Sequence, residues 1–237
     1  MKKFFIVIGI LIFLLAGLLE IVLPMSLKNI LQEQIIKSVG AQTVDLSLTS
    51  SPNLKIAVGD IEKIHCTADG GRIGDIDFKQ LSLDGEKIIL DVPELLFPSQ
   101  DLSPQEHTDK ILKSADKLEL HGIITEDDLK SYLQRKVDRL ENLEVQITPE
   151  EVKATGQIKI MGRMADIDLA GQFVVDDGDI YFRMTHLNVK NTLIRHVQLD
   201  RFLGDFKITE GVKLPMNLKF DLIEFHDKEI LVTAIKK

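Results

Sequence analysis

The closing stretch Lys213–Ala234, "KLPMNLKFDLIEFHDKEILVTA", indicates how this chain folds. Apolar residues alternate with polar ones in two short runs: Leu218, Phe220 and Leu222, then Ile230, Val232 and Ala234. A period of two places each apolar set on one face of a β-strand. The stretch therefore predicts two strands around a short connection at Glu224–Glu229. Their apolar face covers either an ordinary protein core or something from outside the chain.

The same alternation recurs through most of the sequence. In the first half it predicts strands at 44–49, 54–58, 61–67, 73–78, 80–83 and 87–92, with turns at Gly70-Gly71 and Asp84-Gly85. In the second half it predicts strands at 143–147 and 152–155, the latter leading into Ile158 and Ile160, and then at 167–169, 173–175, 180–184 and 187–189, with a turn at 176–178. Such short connections favour antiparallel pairing.

Helical spacing is confined to a few segments. Apolar residues recur at this spacing from Leu27 to Val39, and Gly40 offers a C-terminal stop. Later, Thr125 is a good N-cap and Asp128 follows three residues on, as in a capping box. The apolar face predicted for that second helix is Leu129, Tyr132, Leu133, Val137 and Leu140. A short helix is also predicted around 194–202, and a polar, proline-interrupted connection near 93–117.

The first 23 residues carry a membrane signal. Lys2 and Lys3 precede an apolar run, Phe4–Leu23, that only Glu20 interrupts. About twenty helical residues at about 1.5 Å each span about 30 Å, the thickness of a bilayer core. A cleaved signal peptide is the alternative, but Ala16-Gly17 is followed by Leu, Leu and Glu, a poor cleavage site. We expect residues 1–23 to be an uncleaved transmembrane anchor and 24–237 to be exported.

Composition excludes several classes of function. The 237-residue chain has a formal net charge of −8, and an acidic chain with no basic stripe argues against nucleic-acid binding. Aromatic residues make up only 5% and Trp is absent, so stacking platforms are poorly supplied. The single Cys66 cannot form an intramolecular disulfide and is interpreted as a buried, inert thiol.

Catalytic motifs are equally sparse. No two of the six His lie within four residues of each other, so there is no local metal-ligand pair. No phosphate-binding loop, nucleophile elbow or dinucleotide fingerprint occurs. The acidic clusters 75–77, 127–128 and 176–179 could hold a cation, but acidic residues in turns and at helix starts have local structural roles. The sequence thus predicts a protein that is not an enzyme, with no metal and no cofactor.

The order of these elements resembles the LmeA-type family of bacterial phospholipid-binding proteins. The apolar segment ends near Pro24 and leads through a helix to "VDLSLTSSPNLKIAVGDIEKIHCTADGGRIGDIDFKQLSLDG". In this stretch Pro52, Gly59-Asp60 and Gly74 are similar to the residues that separate the family's strands. "ITEDDLKSYL" resembles its helix start, and "GQIKIMG" and "GQFVVDDGDIYF" its middle strands. The closing stretch resembles its Leu-Pro-led final pair. The resemblance covers nearly all of 24–237.

The resemblance implies an α+β fold: a curved, mostly antiparallel sheet wrapped on a long helix, as in tubular lipid-binding domains, here preceded by the transmembrane helix. It also implies an apolar groove for phospholipid acyl chains. Candidate groove residues are Leu129, Leu133, Val137, Phe182, Leu218, Phe220 and Val232. Periodicity alone does not distinguish a groove from a filled core at any of them.

The expected function is therefore that of a membrane-anchored phospholipid-binding or lipid-transfer protein of the bacterial cell envelope. Its partners would be phospholipid and, through residues 1–23, the cytoplasmic membrane, with the exported domain periplasmic or extracellular. The alternative is a non-catalytic envelope scaffold or adaptor with a filled core. No protein partner is predicted.

Overall fold

The computed structural model describes residues 25–97, 110–136, 140–160, 163–190, 205–209, 214 and 217–236. The predicted anchor at 1–23 lies outside these residues, as do the predicted helix around 194–202 and most of the polar connection. The chain divides into two compact units. Unit 1 comprises 1–68 and 83–118, and unit 2 comprises 69–82 and 119–237. Among the described strands, three contribute residues to both units: Asp60–Asp69, Gln80–Leu90 and Lys117–Thr125.

Unit 1 combines a small sheet with short helices. Its elements are α1 (25–39), β1 (Thr43–Thr49), α2 (Leu54–Ala57), β2 (Asp60–Asp69), β5 (Gln80–Leu90), α3 (Val92–Leu96) and β6 (Leu112–Ser114). The strand order is β1-β2-β5, and β6 pairs with β5. The core contains Leu46, Ile61, Ile88, Leu95 and Leu118, all at most 5% exposed.

Helix α1 ends where the sequence predicts. Gly40 has φ +66°, a left-handed conformation that glycine adopts without steric cost, and its N–H donates to the Ile36 carbonyl at 2.9 Å. Leu27 is buried, whereas Ile30, Leu31, Ile35 and Val39 remain half-exposed. The amphipathic stripe is therefore only partly covered.

Two strand predictions in unit 1 are wrong. The segment predicted as a strand at 54–58 is helix α2, because Lys55 and Ile56 N–H donate to the carbonyls of Pro52 and Asn53 and start a turn. The strands predicted at 80–83 and 87–92 form one strand, β5. Gly85 lies inside this strand and not in a turn. A glycine is needed there because a Cβ would lie only 2.8–2.9 Å from the side chains of Ile88, Ile64 and Leu118.

Cys66 lies in β2 and is 4% exposed. Burial, with a smaller contribution from Asp45, raises the pKa of its thiol from 9.0 to about 11. The thiol therefore stays protonated near neutral pH, and since the thiolate is the nucleophile, the side chain is inert. This confirms the interpretation from sequence.

Unit 2 contains part of one sheet, the whole of a second sheet, a ribbon and a helix. The first sheet has the order β5-β7-β14-β13, with β7 at Lys117–Thr125, β13 at Leu218–His226 and β14 at Glu229–Lys236. The second has the order β12-β11-β10-β9-β8, with β8 (Leu140–Ile147), β9 (Val152–Ile160), β10 (Arg163–Asp176), β11 (Asp179–Lys190) and β12 (Asp205–Lys207). The ribbon is β3 (Arg72–Ile73) with β4 (Ile76–Asp77), and the helix is α4 (Glu126–Lys136).

The closing stretch forms the predicted hairpin, but one strand changes face partway. The β13–β14 pairing skips a residue between Phe220 and Leu222, which is a β-bulge. Leu218 and Phe220 are buried, whereas Leu222 is 48% exposed. Beyond the bulge Ile223 takes the inward position opposite Val232. Placing Leu222 on the same face as Leu218 and Phe220 was therefore wrong.

The predicted capping box at the start of α4 is confirmed. The Asp128 carboxylate accepts from the Thr125 N–H at 2.8 Å and from its hydroxyl at 2.6 Å, and the Asp128 N–H donates to that hydroxyl at 3.4 Å. Leu140 begins strand β8, so assigning it to the helix face was wrong, and Val137 lies outside the described residues.

We expect Thr125→Ala to lower the free energy of unfolding by about 1 kcal/mol, because the hydroxyl in this cap is lost. Urea unfolding of Thr125→Ala, Asp128→Ala and the double variant measures it. The two costs should not add, since both substitutions remove the same cap. Strictly additive costs would show that the two residues do not act together.

The fold class is thus mostly antiparallel sheet with few helices, as predicted. The long helix is not found: α4 has 11 residues in the part of the chain that the structure describes. Over the same residues, no helix combines the length and apolar character needed to cross a membrane.

Candidate functional site

Unit 2 contains an apolar pocket. Ten side chains from β4, β7, α4, β10, β11, β13, β14 and residue 208 line it: Ile76, Ile124, Leu129, Tyr132, Phe173, Ile180, Ile208, Ile223, Ile230 and Val232. The Tyr132 hydroxyl is the polar group among these side chains. A wall of this kind offers contacts to hydrocarbon and little to a polar ligand.

Strand pairing explains why these residues meet. Ile230 is the cross-strand partner of Ile124, and Ile223 that of Val232, so all four occupy one face of the first sheet. On the second sheet Ile180 is placed by the tight β10–β11 turn, and the Ile208 N–H donates to its carbonyl at 2.8 Å.

The space inside the pocket is small. Its cavity volume is about 20 Å³. A single water needs roughly 10–15 Å³ measured in this way, so the cavity holds about one water. An acyl chain would enter only if the walls moved apart.

A longer apolar track continues from this pocket along the second sheet. Cross-strand pairs on the face that carries Phe173 are mostly apolar: Phe173 with Phe182, Leu169 with Leu187, Ile167 with Val189, and Ala165 with Ile158. Most of these side chains are half-exposed rather than buried. We call this face of β9, β10 and β11 the apolar track.

The track is long enough for an acyl chain. The eleven residues of β10 from Ala165 to Val175 are separated by ten steps, which cover about 33 Å at about 3.3 Å each. One leaflet of a bilayer core is about 15 Å thick, half of the roughly 30 Å total. One acyl chain in an extended conformation therefore fits within the track.

An aromatic cluster lies where the track meets the pocket. Phe173 and Phe182 are tilted with ring centroids 5.1 Å apart, and Phe173 stacks on Phe225 at 6.5 Å. Gly171 makes room for this cluster, because a Cβ there would be 2.5 Å from a ring carbon of Phe182. A β-bulge between Ala170 and Gly171 adjusts the strand at the same point.

Charged side chains border the pocket at β4 and α4. Asp77 pairs with Arg72 at 2.6 Å and with Arg135 at 2.7 Å, and Asp75 pairs with Lys136. Ile76, between the two aspartates, points into the pocket while they point outward. We call these five charged residues the rim cluster. Ion pairs thus join α4 to the ribbon beside the pocket.

Several groups in this region have shifted pKa values, among them Tyr132 and Asp77. Burial raises the pKa of Tyr132. The nearby Lys136 lowers this pKa and Asp75 raises it, and the net shift is upward, so the phenol stays protonated at neutral pH. The pKa of Asp77 is lowered: burial opposes the shift, but hydrogen bonds from Arg72 and Arg135 outweigh it.

The lowered pKa of Asp77 predicts a pH-dependent contribution to stability. A carboxylate with a lowered folded-state pKa stabilises the fold above its unfolded pKa of about 3.9 and loses this as pH falls through the folded value. We expect Asp77→Asn to be less stable than wild type at pH 7 and equally stable at strongly acid pH. Urea unfolding from pH 7 downward measures the difference. A pH-independent difference would contradict the assignment.

A separate ion pair borders the pocket near Ile180 and Ile208. Lys207 contacts Asp179 at 2.6 Å, and this hydrogen bond is the main cause of the lowered pKa of Asp179. Thr209 is 1% exposed, accepts from the Ile180 N–H at 3.1 Å and donates to Asp179 at 3.1 Å. This buried hydroxyl is therefore satisfied within the protein.

The structure separates the seven candidate residues. Leu129 and Val232 line the pocket, and Phe182 lies on the track beside Phe173. Leu218 and Phe220 are buried on β13 but are not lining residues, and Leu133 is half-exposed on α4. Val137 lies outside the described residues.

The pocket also contains residues that were not proposed from sequence. Ile230 was missed although it alternates correctly, because alternation does not say which inward residues meet. Ile124 was missed because it lies in β7, a strand that the sequence analysis did not predict. Ile223 could not be found, since the bulge reverses its predicted face. Phe173 and Ile180 flank the Asp176–Gly178 turn, and that hairpin was the available signal.

The acidic clusters have structural partners. Asp75 and Asp77 are neutralised by the rim cluster cations, and Asp128 caps α4. Across the described ranges, no group of three His, Cys, Asp or Glu side chains is placed to hold a metal ion.

Comparison with protein families identifies the family of this chain. A family model described as LmeA-like phospholipid-binding matches residues 14–235. No curated protein and no solved structure matches the chain significantly. The family match spans both units and includes every residue of the pocket and the apolar track.

Proposed function

This chain belongs to the LmeA-like phospholipid-binding family, and on that premise we propose that unit 2 holds a phospholipid acyl chain along its apolar track and in the adjoining pocket. The observation that supports this most is the continuous apolar face of β10 and β11, half-exposed beside a pocket with apolar walls. Each methylene removed from water there contributes about 0.8 kcal/mol.

Binding on this proposal requires the pocket to widen. The track is already accessible, so the acyl chain lies first against Leu169 and Leu187 and then reaches the aromatic cluster. The cavity of about 20 Å³ admits it only after wall side chains move. The rim cluster beside the pocket combines three cations with two carboxylates, so its remaining positive charge attracts the phosphate of a lipid only weakly. No bond is made or broken, so the activity is binding or transfer without catalysis.

We further propose that residues 1–23 remain attached and hold the protein in the cytoplasmic membrane, with the rest exported to the periplasm or exterior. The support is the Phe4–Leu23 apolar run without a good cleavage site. Sequencing the N-terminus of protein isolated from cells tests this. A mature chain starting near residues 18–26 would contradict it.

A second candidate function has one observation in its favour. The small cavity fits a non-catalytic scaffold or adaptor whose core is filled. On that alternative the pocket is ordinary core, and lipid has no place in the folded protein.

Lipid analysis distinguishes the two functions. The full chain is purified in detergent, washed extensively and extracted, and the extract is examined by mass spectrometry. We expect phospholipid in a fixed ratio to protein, and we expect Leu187→Asp to lower that ratio. If both proteins carry the same trace of lipid, it surrounds the apolar N-terminal segment and the adaptor function is favoured.

A further inference from the structure

Exposed apolar side chains gather in unit 1. Within the described ranges, six large hydrophobic residues of this unit are exposed, including Val58 at 71% and Phe97 at 79%. The others are Met25, Leu54, Ile89 and Leu96. Single exposed apolar residues are common, but a contiguous group marks a surface that another body covers.

Contacts place the end of α2 near the start of α3. The Leu90 N–H donates to the Gly59 carbonyl at 2.8 Å, so the residue after Val58 lies beside the end of β5. A Cβ on Gly59 would collide with the Leu90 carbonyl and lie 3.1 Å from the Val92 side chain. Val58 at the end of α2 and Leu96 and Phe97 at the end of α3 therefore belong to one end of unit 1.

The start of α1 faces the same end. The Gln32 side chain donates to the Val44 carbonyl at 3.0 Å, and Lys28 contacts Asp45 at 4.0 Å. The earlier residue of α1 contacts the later residue of β1, so the helix and the strand run antiparallel. Ser50, just after β1, donates to the Asp60 carbonyl at 2.7 Å and accepts from the Glu62 N–H at 2.9 Å. Met25 therefore lies toward the end where β1 finishes and β2 begins.

We propose that this end of unit 1, with Val58, Leu96 and Phe97 at its surface, docks on the lipid bilayer. We call it the docking end. The chain preceding Met25 indicates that lipid covers the docking end, because residues 4–23 form the apolar run proposed to insert in the membrane. A unit tethered there presents its apolar end to lipid. The inference rests on the proposed membrane attachment, and it is independent of whether lipid enters the pocket.

The charges near the docking end define the kind of contact. Lys55 pairs with Glu62 at 3.7 Å and Lys113 with Asp91 at 2.9 Å, so these lysines are balanced by carboxylates. Attraction to anionic headgroups is correspondingly weak. Docking is by insertion of apolar side chains into the interface, and it changes little with added salt.

Site-specific fluorescence tests the proposal on the full chain in vesicles of phosphatidylethanolamine and phosphatidylglycerol. Val58→Cys and Phe97→Cys are labelled with an environment-sensitive dye. Wild type treated with the same dye measures the background labelling of Cys66, which is small because Cys66 is buried. Gln42→Cys is the matched control, since Gln42 is exposed at the opposite end of β1. Spin-labelled phosphatidylcholine in the vesicles then quenches any dye that reaches lipid.

We expect blue-shifted emission and at least about twofold stronger quenching at positions 58 and 97 than at 42, with little change on adding salt. Equal quenching at all three positions would overturn the proposal that the docking end contacts lipid. A blue shift without lipid quenching would also overturn it, because a protein surface would then cover this face. Vesicle flotation reports attachment separately, so loss of attachment and loss of docking are distinguishable, and a chain that does not float contradicts both.

Discussion

Leu187→Asp is expected to weaken binding of a fluorescent phospholipid at least about tenfold while leaving the unfolding midpoint near that of wild type. Leu187 lies on the apolar track opposite Leu169 and is half-exposed. A carboxylate there reaches water in the free protein, so stability changes little. Bound hydrocarbon would cover it, and an unpaired charge under hydrocarbon costs more than the about 1.4 kcal/mol that a tenfold change represents.

Asn188→Asp is the matched control for this prediction. Asn188 is the next residue of β11, pairs with Asp168 and occupies the opposite face of the sheet. Asn188→Asp introduces the same charge at nearly the same position. Repulsion from Asp168 opposite costs at most about 1 kcal/mol of stability, and the apolar track is unchanged, so we expect wild-type binding. Equal loss in both variants would show a general effect of charge. Unchanged binding in Leu187→Asp would remove the track from the proposed function.

Leu129→Asp is expected to lower the free energy of unfolding by about 3 kcal/mol or more. Leu129 is 5% exposed and lines the pocket, so the substitution removes apolar contacts and buries a carboxylate without a partner. Urea unfolding at neutral pH measures the loss. The variant should also bind no lipid, because helix α4 no longer packs.

Leu133→Asp, one turn later on α4, provides the comparison. Leu133 is half-exposed, so its substituted carboxylate stays hydrated and costs clearly less than at Leu129. Sequence pattern gave both residues the same expected role, and the structure separates them. If Leu133→Asp proved the more damaging, the orientation of α4 would be wrong.

Local rules predicted much of the fold because they depend on neighbouring residues. The capping box at Thr125, the glycine stop at Gly40 and the alternation in β14 each follow from local chemistry. Gly85 and Leu222 were misassigned because side-chain packing and a bulge decide their places. Neither leaves a signal in the periodicity.

The candidate site was harder to predict for a related reason. A period of two identifies the apolar face of a strand and says nothing about what covers it. Val232 and Leu187 have equivalent positions in their patterns, yet Val232 is buried in the pocket wall and Leu187 is half-exposed on the track. That difference arises from how strands distant in sequence pack together. The resemblance supplied lipid as the ligand, and the structure supplied the face that could receive it.

The central claim is that a phospholipid acyl chain occupies unit 2, and photocrosslinking tests it most directly. The full chain is reconstituted into vesicles that contain a phospholipid with a photoreactive group in its acyl chain, irradiated and digested for mass spectrometry. We predict crosslinks within 163–190 and 218–236, and we predict that Leu187→Asp reduces them while Asn188→Asp does not. Crosslinks confined to residues 1–23, with none in unit 2, would contradict the account.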